Sequence, residues 1–192
     1  MSGEEVKSVK VAMCQLLVGA DKAKNLESAA KAVDKAATEG AKLILLPEMF
    51  NCPYSNDSFG PYSETIPDIA SEVDKETQPS TFAILSMAKK NNVFLVAGSI
   101  PEKDGSKLHN TCLIIDPKGE IVGKHRKVHL FDIDIPGKMT FKESDTLTRG
   151  ESFTIVETPF GKLGIGICYD LRFAEYAQVL TSAGCTILCY PG

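Results

Sequence analysis

"DKAKNLESAAKAVDKAATEGAKLILLPE", residues 21–48, is the stretch on which the fold turns. Leu26, Ala30, Val33 and Ala37 recur at helical spacing, and Gly40 supplies a C-terminal stop. "KLILLPE" (42–48) then runs almost without polar residues, as a strand covered on both faces does. Upstream, "VKVAMCQL" (9–16) alternates and is rich in strand formers. Strand, helix and strand in that order make a βαβ unit with parallel strands, because an antiparallel pair needs no helical crossover.

Working outward, residues 49–68 read as a loop rich in Pro, Ser, Asn, Gly and Tyr, long enough to suggest a functional segment. "STFAILSMAKKNN" (80–92) reads as a helix with Ser80 as its N-cap, followed by a buried strand "VFLVAGSI" (93–100). The pattern then changes. "HNTCLIID" and "IVGKHRKV" flank "PKGE" (117–120), so 109–128 is expected to form a hairpin. Residues 129–150 look like a second long polar loop. "FTIVETPF" and "KLGIGIC" flank Gly161 as another hairpin, and "RFAEYAQVLTSAG" leads as a helix into the strand "CTILCYP". The class is α/β, with mixed sheets and outer helices.

With 192 residues, 43% hydrophobic and 24% charged, the composition is that of one globular domain, taken as 1–192. A net charge of -4 argues against nucleic-acid binding, which needs a basic face. "MSGEEVKSVKVAMCQL" carries two early glutamates and no apolar signal-peptide core, and the apolar runs are strand-sized, so neither secretion nor membrane insertion is expected. The six cysteines are unevenly spaced, which suggests reduced thiols in a cytosol-like compartment. No zinc-type spacing is present, and no metal or cofactor is expected.

Three strands end in chemistry-bearing groups: "LLPE" in Glu48, "GKHRK" in Lys127 and "GIGIC" in Cys168. A carboxylate, an ammonium and a thiol suffice for acyl transfer. The thiol attacks, the carboxylate takes its proton and the ammonium stabilises the oxyanion. A helix start after Cys168 is expected to lower the thiol pKa. Each residue also has a plainer reading. A cysteine in an apolar strand is usually a small buried hydrophobe, Glu48 can terminate a strand, and "KHRKVH" can be a solvated basic face. Asp170 can simply cap the following helix. His125 is expected on the strand face of Lys127, and His129 begins the loop as a supporting group, so neither is taken as the base.

"LLPEMFNCPYSNDSF", "KHRKVHLFDIDIPGKMTFKES" and "GIGICYDLRFAEYAQ" resemble the three signature blocks of the nitrilase superfamily of carbon–nitrogen hydrolases. They look most like its omega-amidase branch, which hydrolyses 2-oxoglutaramate and 2-oxosuccinamate. The resemblance runs from about residue 9 to the last residue. It implies Glu48 as general base, Lys127 as oxyanion-stabilising lysine, Cys168 as nucleophile and Glu143, in "TFKES", as the glutamate placed beside the lysine. It also implies an αββα sandwich, two face-to-face sheets with helices outside, and a homodimer formed through helices that include the one after the nucleophile. The expected compartment is the cytoplasm, with mitochondria as a second location.

In this reading Tyr169 and Asp170 position the corner at Cys168. Arg172 either pairs with a neighbouring carboxylate or meets a substrate carboxylate, and Arg172, Lys127 and the Tyr54 loop are the candidate substrate anchors. The family domain continues past "YPG", so the chain is expected to lack the C-terminal part of the scaffold, to expose apolar surface beside its last strand and to be inactive alone. Two other functions stay open. One is an amidase for deaminated glutathione or N-carbamoyl compounds. The other is a catalytically dead form that serves as a dimerisation partner or regulator.

Overall fold

The computed structural model describes residues 8–68 and 70–192; the N-terminal "MSGEEVK", part of the stretch read for a signal peptide, lies outside them. Strand β1 (Val11–Met13), helix α1 (Lys22–Thr38) and strand β2 (Leu43–Leu45) form the expected βαβ unit, with Val11 opposite Leu43 in parallel register. Asp21 caps α1 by accepting from the Lys24 amide at 3.1 Å, and Gly40 follows the helix at φ +90°. The face that α1 buries fully is Asn25, Ala29, Val33 and Ala36, one position from the expected stripe, with Leu26, Ala30 and Ala37 along its margin.

Residues 49–68 are not all loop, because Asn56–Tyr62 form a short helix, α2. Helix α3 spans Pro79–Asn91 and starts one residue earlier than expected. Pro79 occupies its first turn, so Gln78 rather than Ser80 is the N-cap, and Ser80 is buried, its Oγ accepting from Asn51 Nδ2. Strand β3 (Phe94–Val96) and strand β4 (Ile100–Asp104) lie end to end along the same side of β5 (Lys107–Ile115). Gly98 breaks what the sequence presented as one strand. Its φ is +58°, and a Cβ there would lie 2.1 Å from the Pro47 carbonyl oxygen. Strand β6 (Ile121–Arg126) pairs on the other side of β5 as the "PKGE" hairpin.

The second polar stretch is also structured. Strands β7 (Asp132–Ile135) and β8 (Met139–Lys142) form a hairpin, and Glu143–Asp145 follow as a 3-10 turn. Strand β9 (Thr154–Thr158) pairs antiparallel with β10 (Gly161–Ile165), as the Gly161 hairpin predicts. Cys168–Arg172 form another 3-10 turn before helix α4 (Ala174–Ser182) and strand β11 (Cys185–Cys189), which runs parallel to β10. With β10 as its sheet neighbour, β11 lies at one edge of the second sheet.

The layers follow from what each face buries. Helices α1 and α3 pack Ala29, Val33, Ile84 and Ala88 onto Ile44, Leu46, Leu95 and Leu113 of the first sheet. The opposite face of that sheet, through Leu43, Val96, Cys112 and Ile114, meets Val156, Leu163, Ile165 and Cys189 of the second. Helix α4 covers the outside of the second sheet with Tyr176 and Leu180 against Leu188 and Tyr190. The arrangement is αββα, with the second sheet narrower than the first. No helix among the described residues is long and apolar enough to cross a membrane.

Candidate active site

Glu48 and Cys168 both sit at strained corners. Met49, directly after Glu48, has φ +49°, and Cys168 itself has φ +43°, a left-handed conformation uncommon for non-glycine residues. The break at Gly98 makes the first corner possible. Ser99 accepts from the Met49 amide at 2.9 Å through Oγ and from the Phe50 amide at 3.2 Å through its carbonyl. The second corner is pinned by its neighbours. The Cys168 amide donates to the Pro191 carbonyl at 2.7 Å, and the Ile167 amide donates to Asp170 Oδ2 at 2.9 Å.

Asp170 therefore does more than cap a helix. It is fully buried, and its Oδ1 also accepts from the His129 backbone amide at 2.8 Å and contacts His129 Nδ1 at 2.7 Å. Burial alone would raise its carboxyl pKa, but these donors and His125 hold it below the usual carboxylate range. His129 stacks on Phe173, while His125 is buried between Thr154, Tyr176 and Asp170. Both histidines thus support the corner.

The charged centre lies where the strand ends converge. Lys127 Nζ is 2.8 Å from Glu48 Oε1 and 3.0 Å from Glu143 Oε2, with the lysine side chain wholly enclosed. Glu143, also fully buried, accepts from Tyr54 Oη at 2.5 Å and from the Phe131 amide at 2.7 Å, while its own amide donates back to the Phe131 carbonyl. The β7/β8 hairpin makes this possible by folding residue 143 back against residue 131. Asn110 adds a contact that sequence reasoning missed, with Nδ2 donating to Glu48 Oε1 at 2.8 Å. Its only signal was position: once the "PKGE" hairpin is paired, Asn110 falls opposite Lys127.

The electrostatics correct one expectation. Cys168 begins a five-residue 3-10 turn rather than an α-helix. Burial, reinforced by the charge of Glu48, pushes its thiol up to about 12 instead of down. Ionisation of the resting thiol is therefore disfavoured in the presence of the Glu48 carboxylate. Burial raises the Glu48 carboxyl against the pull of Lys127, which suits a proton acceptor. Burial would lower the Lys127 ammonium, but the two carboxylates outweigh it and hold its pKa above the ordinary value.

Cys168 faces a cleft of about 730 Å³ whose walls include Glu48, Tyr54, Phe131, Tyr169, Leu171 and Arg172. Arg172 is exposed on this wall, and no carboxylate pairs with it among the described residues. The alternative in which it fastens a neighbouring acid is thus not what the structure shows. Lys127 is not an open anchor either, since two carboxylates already surround it. Tyr54 presents its ring to the cleft, with its hydroxyl committed to Glu143.

The carbon–nitrogen hydrolase family profile matches residues 10–192. An omega-amidase from Arabidopsis thaliana chloroplasts is 50% identical over 182 residues, which cover 95% of this chain and 48% of that protein. Omega-amidase NIT2 of Xenopus tropicalis is 46% identical over 183 residues, 95% of this chain and 63% of the relative. The chain thus spans about half to two-thirds of these relatives. The crystal structure of Saccharomyces cerevisiae Nit3, a member of the nitrilase superfamily, superposes with a TM-score of 0.83 at 40% identity, covering 99% of this chain and 67% of that one. With its αββα layers and these matches along almost all of its length, the chain belongs to the carbon–nitrogen hydrolase family, the nitrilase superfamily.

Proposed function

We propose that this chain carries the catalytic centre of a thiol-dependent amidase, with Cys168 as nucleophile, Glu48 as general base and Lys127 as the charge that stabilises the oxyanion. The observation that carries the reading is the convergence of a buried lysine with Glu48 and Glu143, at 2.8 and 3.0 Å, beside a cysteine on a strained corner that opens on a cleft. Glu48 takes the thiol proton as sulfur bonds to the amide carbon. The tetrahedral oxyanion develops against the Lys127 ammonium, two of whose three N–H donors are engaged by carboxylates. When the C–N bond breaks, protonated Glu48 gives its proton to the departing nitrogen, which leaves as ammonia. Water then attacks the thioester. Glu48 takes a proton from it, the C–S bond breaks, and Glu48 returns that proton to the departing sulfur, which restores the thiol as the acid leaves. Glu143 holds Lys127 in place and takes no proton in this scheme.

The substrate we infer is a small monoamide that carries a carboxylate, such as 2-oxoglutaramate or 2-oxosuccinamate. Two observations support this: the similarity to proteins named omega-amidase, and the unpaired Arg172 on an otherwise largely aromatic and aliphatic cleft wall. The test uses the full-length protein and measures ammonia release. Cys168→Ala should abolish turnover with the fold intact. Glu48→Gln should lower kcat by roughly 10²-fold or more at unchanged KM. A neutral amide of the same length should be a much poorer substrate, and Arg172→Met should narrow that gap. Turnover retained by Cys168→Ala refutes the mechanism, and equal rates for acid and neutral amides refute the substrate class.

A further inference from the structure

The Glu48 carboxylate has two oxygens, and the structure uses them differently. Oε1 receives both Lys127 Nζ and Asn110 Nδ2, each at 2.8 Å. Asn110 lies wholly inside the protein, and its backbone carbonyl accepts from the Lys127 amide at 2.8 Å. One residue of β5 therefore grips the base through its side chain and the lysine through its backbone.

From this we propose that Asn110 is a positioning residue for the reaction: it commits Glu48 Oε1 to two donors, leaves Oε2 to exchange the proton with Cys168, and sets the proton affinity of that carboxylate.

The amide can do this in one orientation only. Nδ2 must face Glu48, because a flipped amide would set its oxygen against a carboxylate oxygen. Its Oδ1 is buried and has no hydrogen-bond partner among the described residues. An aliphatic side chain of the same size would leave no acceptor unpaired, so packing alone does not account for asparagine here. The charged and titratable groups around Glu48 come from every neighbouring element. Lys127 follows β6, Glu143 follows β8, Cys168 follows β10, and Tyr54 belongs to the loop before α2. Asn110 is the neutral donor among them. It favours the ionised carboxylate without adding a charge, and unlike Lys127 it carries none to set against the oxyanion. Losing it should raise the proton affinity of Glu48 and let the carboxylate rotate.

The inference rests on Glu48 being the base, and the experiment separates the two ideas. Asn110→Leu keeps the branched shape with somewhat greater volume and removes the donor; Asn110→Ala is the second variant should leucine not fit. Both are made in the full-length protein beside Glu48→Gln, and kcat and KM for 2-oxoglutaramate are followed from acid to neutral pH. The acidic limb of kcat/KM should move up by about one pH unit, as loss of one hydrogen bond to a charged carboxylate implies. The plateau kcat should fall at least threefold with KM unchanged. A purely structural asparagine would leave the limb where it is. If Glu48→Gln is inactive and both Asn110 variants keep the limb within about 0.3 pH unit of the wild type, the inference is wrong. If Glu48→Gln turns over normally, the assignment of the base is wrong, and the inference falls with it.

Discussion

Replacing Lys127 by methionine removes one cation from between two carboxylates and should do more than slow the reaction. At 2.8 and 3.0 Å, each contact is worth about 5–6 kcal/mol of attraction at an effective dielectric of about 20. Burial of the three charges offsets much of this, and deleting one partner of such a buried group typically costs about 3–5 kcal/mol net. The local charge goes from one cation against two carboxylates to two carboxylates alone, so one must take a proton. Glu143 keeps Tyr54 Oη and the Phe131 amide as donors, whereas Glu48 keeps only Asn110. Glu48 is therefore the group that protonates, and the variant loses its base together with its oxyanion charge. The sign of the pH effect follows. A Glu48 pKa raised further above its unfolded value of about 4.3 means that the native state binds more protons there, so stability falls as pH rises through that window. Urea unfolding of Lys127→Met should accordingly show a deficit that shrinks towards pH 5. Glu48→Gln in the same background should recover at least about 1.5 kcal/mol relative to the sum of the single changes. Additivity within about 0.5 kcal/mol, or a deficit independent of pH, would show that Lys127 acts as a packed aliphatic chain and not as the shared counter-charge.

Gly98→Ala should cost roughly 2–4 kcal/mol, because a Cβ would meet the Pro47 carbonyl at 2.1 Å on a residue with φ +58°. Thermal melting checks the cost, and kcat should drop as well, since the Glu48 corner rests on this break. Asp170→Asn should cost about 2–4 kcal/mol by setting an amide N–H against one of the donors from His129 or Ile167. Because the Asp170 pKa is depressed in the native state, its contribution is present above the unfolded value and lost as pH falls through the folded one. The wild type should thus lose stability on acidification more steeply than the variant, as a pH series of denaturation midpoints will show.

Much of this molecule is legible along the chain. The βαβ unit, both hairpins and the last helix follow from periodicity, because alternation and 3.6-residue spacing report which residues face a core. Glu48, Lys127 and Cys168 stood out as chemistry-bearing groups at the ends of strands. Glu143 did not, since a glutamate in "TFKES" looks like any other in a polar segment; only the resemblance singled it out. What buries it is the β7/β8 hairpin, whose strands "DIDI" and "MTFK" do alternate apolar and polar residues around "PGK", a signal that the reading of 129–150 as one polar loop passed over.

Other features depended on meetings between distant segments. Asn110 matters because strand register sets it opposite Lys127, and Gly98 matters because the Pro47 backbone presses on it. The thiol pKa moved opposite to the expected direction because burial, and then the charge of Glu48 from another strand, outweigh the short turn that Cys168 begins. Local sequence determines how each segment curls and which side it hides. Which hidden groups touch, and therefore which proton each one holds, is set by register and by a few strained corners that exist only once the two sheets have closed on each other.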